Sequence, residues 1–313
     1  MLGIAIYSLL KHRAPSTYYV IYILDDGISE SDREKIVSLQ SPEECEIHFI
    51  PIGNLLKSNI NVEIESWPRT TYARLFLPEL IANENRVLYM DIDILVLADL
   101  SALIHTSEEE GIWAYVVFEN QFEGHRKSSL GIPDEFPYFN AGVMLMELEQ
   151  MRANGFISIC LNFMECNRKN LLYHDQDILN GVMYNKVKGL DPRFNWWEGY
   201  TRKVFSIKKD IWGIWGNLGK RKAQEAASSP SILHFFAKPK PTIYNYRYFA
   251  GVYRRIWLES PWRTHQPSGA HRYRCMLMHL LYLPYDIYVR IYCWWLRSRK
   301  NSIQQPDFNE VSF

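Results

Sequence analysis

Two aspartates flanking a single isoleucine, Asp91 and Asp93, follow the apolar run Arg86 to Met90. On an extended segment both carboxylates point to one side while Ile92 points into the sheet. Converging carboxylates repel each other unless a cation lies between them, and oxygen donors select hard ions such as Mg2+ or Mn2+. These ions keep part of their coordination for phosphate oxygens, so a diphosphate is the natural co-ligand. A solvated strand end is the alternative for the same pair.

Other residues could join such chemistry. His234 lies in the apolar stretch Ile232 to Phe236, as a metal ligand or as a neutral core imidazole. Lys240 follows it, either a surface lysine or a point charge for a phosphate. Asp175 and Gln176 open a helical pattern that runs to Tyr184, where an aspartate also suits an N-cap. Arg74, Asn140 and Glu119 are further polar side chains in or beside apolar segments.

The elements that position these residues alternate between two periodicities. Leu2 to Leu10 reads as an amphipathic helix ended by Lys11, His12 and Arg13, whose charge suits a helix C-terminus. It is not read as a signal peptide, because no basic region precedes it and no small-residue cleavage site follows. Strands are expected at Tyr18 to Leu24, Glu46 to Ile50, Arg86 to Met90, Ile112 to Phe118 and Val143 to Met146. Helices are expected from a Ser31/Glu34 capping box through Leu39, over Tyr72 to Leu80 with Pro78 near its bend or end, and over Asp175 to Tyr184. Asn195 to Leu218, with Trp196, Trp197, Trp212 and Trp215, reads as loops. Alternating strands and helices imply an α/β layer with a mainly parallel sheet, whose ligands sit beyond the carboxyl ends of strands. Asp91 and Asp93 fall there.

The 313 residues carry 35 basic and 35 acidic side chains, so no overall field draws nucleic acid. Five scattered cysteines (Cys45, Cys160, Cys166, Cys275, Cys293) without a CxxC pair suit a reducing cytosol. No apolar run reaches the roughly 20 residues of a membrane-spanning helix.

Five segments in order, YARLFLPEL (Tyr72 to Leu80), LYMDIDILV (Leu88 to Val96), YFNAGVMLM (Tyr138 to Met146), HDQDILN (His174 to Asn180) and HFFAKPKP (His234 to Pro241), resemble glycosyltransferase family 8. The resemblance is to its bacterial lipooligosaccharide galactosyl- and glucosyltransferases and covers roughly residues 2 to 245. It implies a GT-A-type nucleotide-sugar-binding fold and transfer of galactose or glucose from a UDP-hexose to a saccharide or glycolipid acceptor. It further implies that Asp91, Asp93 and His234 ligate Mn2+ or Mg2+, and that Lys240 meets the diphosphate. Arg74 matches a residue that reaches the diphosphate or the sugar, Asn140 a donor-sugar ligand, and Glu119 a position that often holds an aspartate on sugar hydroxyls. Asp175 and Gln176 match the residues beside the reacting anomeric carbon. The family keeps the donor's configuration, and with Gln176 a poor nucleophile the expected mechanism is a front-face displacement. Ala237 and Thr242 replace a glycine and a tryptophan of the family's closing motif. Family members also begin with a nucleoside-binding strand, whereas this sequence starts in the helix after it.

The expected division is a catalytic domain over 1–260 and a helical tail over 261–313. The tail alternates tyrosine and tryptophan (Tyr282, Tyr285, Tyr288, Tyr292, Trp294, Trp295) with Arg272, Arg274, Arg290, Arg297, Arg299 and Lys300. That pattern suits the headgroups of an anionic leaflet, hence an expected site on the inner face of the cytoplasmic membrane. Packing of the tail on the domain or on a partner is its alternative. Two other functions stay open: an inactive or truncated sugar-nucleotide-binding protein, and a haloacid-dehalogenase-type phosphatase. The latter wants a threonine where this chain has Leu95.

Overall fold

The computed structural model describes residues 1–60, 69–119, 125–206, 219–236, 240 and 249–264. Nine strands form three sheets among the described residues. In the first, β1 (Tyr19–Asp25) runs parallel to β2 (Cys45–Pro51), Tyr19 opposite Cys45. The four-stranded sheet joins β3 (Arg86–Met90), β5 (Ala114–Glu119), β6 (Tyr138–Glu147) and β7 (Val187–Gly189) in the order β3-β6-β5-β7. The third orders β4 (Ile94–Val96), β8 (Trp196–Trp197) and β9 (Ile232–His234) as β4-β9-β8.

The expectation of a mainly parallel sheet is corrected here. β6 is antiparallel to both β3 and β5, and only β5 with β7 is parallel in that sheet. All ten residues of β6 are buried, so it reads as a continuous apolar run whichever way its neighbours point. Strand direction is therefore not encoded in its pattern.

Two cores lie around this central strand. One gathers Ile4, Ile6 and Leu9 of the first helix (Leu2–Lys11) with Leu95, Val96, Ile232 and Leu233. The other gathers Tyr72, Leu75 and Phe76 with Met144, Met146, Ile178 and Leu179. Ser8 ties the first helix to β4: its hydroxyl donates to the Ala5 carbonyl and accepts from the Val96 amide at 2.9 Å. The Trp262 ring belongs to the first core, packs so closely on Gly3 that a Cβ there would collide with it, and donates to Asp32 at 2.8 Å. The packed domain thus continues past residue 260, and the tail from 265 lies outside the described residues.

Several local expectations shift. Helix Glu30–Val37 is capped by Ser29, whose hydroxyl accepts from the Asp32 amide, so the Ser31/Glu34 box is not formed. Tyr72 to Leu80 is a 3-10 helix (Arg69–Phe76) followed by one α-turn (Leu77–Leu80), with Pro78 at the start of that turn, where a missing amide proton costs nothing. The segment expected as loops begins with a 3-10 turn (Pro192–Asn195), β8 and a helix (Glu198–Ser206). Trp196 is buried there and donates to Thr201 at 2.8 Å, while Trp212 and Trp215 lie outside the described residues. No described helix is long and apolar enough to cross a membrane.

Candidate metal and sugar site

The acidic pair sits where the chain crosses from one sheet to another. Asp91 adds a rung to β3, its amide donating to the Gly142 carbonyl at 2.8 Å, and Asp93 adds one to β4, accepting from the Phe235 amide at 2.9 Å. Between them the backbone turns instead of staying extended, so Ile92 is 58% exposed and does not point into the sheet as expected. The turn, not strand alternation, brings the two carboxylates together.

β9 ends on His234, opposite Ile94. Its Nε2 lies 3.1 Å from Asp93 Oδ1 and 3.6 Å from Asp91 Oδ2. One ligand atom from each of Asp91, Asp93 and His234 lies within 4.8 Å of the others, the only such group among the described residues. Donors about 2.1 Å from a common ion are separated by about 3 to 4 Å, so the spacing and the two carboxylates with one imidazole fit a divalent cation. Burial pushes the Asp93 carboxyl up, but His234 and Lys240 outweigh it and hold the group well below the usual carboxylate range. It is ionised near neutrality. Lys240 bonds Asp93 and donates to the carbonyls of Phe235 and Phe236 at 2.8 and 2.9 Å, so all three of its protons are engaged.

Arg74 links this group to the next. Its Nη2 donates to Asp91 at 2.7 Å, Nη1 to the Ala141 carbonyl at 2.7 Å, and Nε lies 3.0 Å from Asp175. Burial disfavours its charge, yet Asp175 and Asp91 more than offset that and keep it protonated. Tyr89 lies under the guanidinium and donates to Asp91 at 2.7 Å. Burial pushes the Asp175 carboxyl up to about 6, Arg74 opposing it.

Asp175 and Gln176 open helix His174–Met183 after His174, whose φ of 44° is the one left-handed value at a non-glycine residue among those described. Asp175 does not cap the helix; Tyr173 occupies that position without a side-chain bond. Gln176 accepts from the Ala141 amide at 3.0 Å, and Asn180 brackets Phe139 through both its amide and carbonyl. Asp177, fully buried, holds the helix start through Arg126, Tyr138 and the Leu172 and Tyr173 amides.

β6 carries a register shift opposite Val116 and Val117, which pair with Met144 and Asn140. Extra residues on one strand bend it, and here they are Ala141, Gly142 and Val143. A Cβ on Gly142 would lie 2.1 Å from His234 Cε1, so its bareness makes room for the imidazole. Asn140 accepts from the Gly142 amide and from Asn195, each at 2.9 Å, and donates to Glu119 at 2.7 Å. Burial lifts the Glu119 carboxyl to about 7, with Asn140 and His234 opposing, and its second oxygen has no partner among the described residues.

Every candidate from the sequence therefore belongs to one continuous network: Asp91, Asp93, His234 and Lys240; Arg74 with Asp175; Gln176; and Asn140 with Glu119. Asn195, Tyr89 and His174 were not singled out by sequence. An asparagine after Pro-Arg-Phe reads as a turn residue, and only its place beside β9 gives it a role.

These sheets and this crossover site are those of a GT-A-type glycosyltransferase. The chain superposes on the crystal structure of the galactosyltransferase LgtC, bound to donor and acceptor sugar analogues, with a TM-score of 0.71 and 26% identity, over 83% of this chain and 91% of that one. The chain belongs to Glycosyl transferase family 8, whose model matches residues 1–241. General stress protein A of Bacillus subtilis is 26% identical over 77% of this chain and 82% of its own length. Lipopolysaccharide 1,2-glucosyltransferase of Escherichia coli is 25% identical over 80% of this chain and 71% of its own.

Proposed function

We propose that this chain transfers galactose or glucose from a UDP-hexose to a saccharide or glycolipid acceptor, with retention, in the synthesis of lipopolysaccharide or another surface glycan. The observation that carries the reading is the Asp91, Asp93 and His234 cluster at the crossover of two sheets. The glucosyltransferase and galactosyltransferase relatives support the substrate class. Asp91, Asp93 and His234 would hold Mn2+ or Mg2+, which would supply positive charge to a diphosphate leaving group. Mn2+ suits the imidazole better.

The chain's own residues do the rest. Lys240 sits against Asp93, placed to trade that carboxylate for diphosphate oxygens as charge develops on them. Arg74 spends its donors on Asp91, Asp175 and Ala141, and so acts as a clamp between the metal group and the helix start. Glu119 offers its unpartnered oxygen to a sugar hydroxyl from a wall shared with Asn140. Asp175 is buried and ion-paired to Arg74, and Gln176 is an amide; neither suits attack on an anomeric carbon. That pairing supports a front-face displacement without a covalent sugar-enzyme intermediate.

Incubation with UDP-glucose, UDP-galactose and p-nitrophenyl phosphate, with Mn2+ and then with excess EDTA, tests this. Slow metal-dependent release of hexose from one UDP-sugar is expected. Phosphomonoester cleavage alone would mark a phosphatase, and no turnover with UDP binding retained would mark a sugar-nucleotide-binding protein.

A further inference from the structure

Asn195 lies at the end of the Pro192–Asn195 turn and is 7% exposed. Its backbone is fixed on both sides. Before it, the Arg193 carbonyl accepts from Ser231 at 2.9 Å, at the entrance to β9; after it, β8 pairs with Leu233 and His234. The side chain bridges Asn140 and the imidazole of His234, 2.9 Å from each.

The directions of these bonds are forced. The Gly142 amide can only donate, so the Asn140 atom that receives it is an oxygen, and the other end of that amide donates to the Glu119 carboxylate. An oxygen can only accept, so Asn195 turns its NH2 toward Asn140 and its own oxygen toward His234 Nδ1. An oxygen facing Nδ1 requires a proton on that nitrogen. Nε2, which faces Asp93 and Asp91, is then the atom left to ligate. Gly142 lies under one side of the ring and the Phe236 ring meets it edge-on, so the ring has little freedom to rotate out of this bond.

We propose that Asn195 is a positioning residue for the metal site: together with Asn140 and Glu119 it holds the proton on His234 Nδ1 and aims Nε2 at the ion. The consequence for affinity rests on the metal reading above, whereas the consequence for the ring proton does not. Outer partners of metal-bound histidines typically change affinity by 10- to 100-fold when removed.

Two readouts on the full chain separate the two claims. In metal-free protein, nitrogen-15 NMR of His234 is expected to show an Nδ1 proton protected from solvent exchange, lost in Asn195→Leu and kept in Asn195→Asp, which retains an acceptor. Calorimetric titration with Mn2+ alone is expected to show at least about tenfold weaker binding by Asn195→Leu and substantial recovery in Asn195→Asp. No protected Nδ1 proton in the unmodified protein overturns the proposal, whether or not Mn2+ binds. A protected Nδ1 proton and unchanged Mn2+ affinity in Asn195→Leu also overturn it, since the amide oxygen would then not be what holds the ring. If the unmodified protein binds no Mn2+ while the ring proton behaves as described, the relay stands and the metal reading falls.

Discussion

Glu119 is the side chain whose protonation has most to say about the site. Its folded carboxyl titrates near 7 instead of its usual 4.5, mainly because burial penalises the charge. A folded state that holds the proton more tightly than the unfolded one is favoured at low pH. The contribution is full below about pH 4.5 and is lost as pH rises to about 7. Glu119→Gln keeps an acceptor for Asn140 without the charge. Urea unfolding of both proteins is expected to show the wild type losing up to roughly 3 kcal/mol relative to the variant between pH 4.5 and pH 8. Parallel stability profiles would mean that the carboxyl is charged in the folded protein throughout that range. Asp91 and Asp93 were legible because they follow an apolar run, and Glu119 only through the family resemblance; Asn195 was not, because its sequence neighbourhood describes a turn and its partners come from β6 and β9.

At the scale of elements, the site depends on a bend in β6 that no periodicity announces. Tyr138 to Met146 is apolar enough to be read as strand from Val143 on, and the buried strand in fact spans Tyr138–Glu147. The shift at Val116/Val117 is what lets Asn140 face Glu119 while Gly142 lies against His234. Gly142→Ala places a methyl group where the imidazole stands. Displacing the ring or the strand is expected to cost about 1 to 3 kcal/mol of stability, read as a lower urea midpoint. Mn2+ affinity is expected to fall with it; unchanged affinity in calorimetry would show that His234 is not held against β6. Strands β1, β2, β3, β5 and β6 and the helices around Leu2–Lys11, Glu30–Val37 and His174–Met183 were legible from sequence, since strand and helix periods differ, whereas the short β4, β7, β8 and β9 were not expected. Strand direction, the turn that exposes Ile92 and the mixed sheet were not, because each is decided by pairing partners distant in sequence.

Across the whole molecule, the core closes on Trp262, which packs against the first helix and bonds Asp32. A cut at about residue 268 therefore spares the described core and every candidate site residue. Should the basic and aromatic tail bind an anionic leaflet, each basic residue near the surface contributes roughly 1 kcal/mol, weakened by salt. Deleting the tail is then expected to release the protein from phosphatidylglycerol vesicles and leave UDP-sugar hydrolysis intact. Full-length protein that ignores such vesicles at low salt, with a truncated form that aggregates, would make the tail a packing element instead. The central claim, that two sheets meet to hold a divalent cation for a nucleotide-sugar donor, is tested most directly by anomalous diffraction from crystals soaked with Mn2+ and UDP. One manganese peak is expected about 2.1 Å from Asp91, Asp93 and His234, also contacted by diphosphate oxygens. A fully bound UDP with no metal at those three side chains would contradict it.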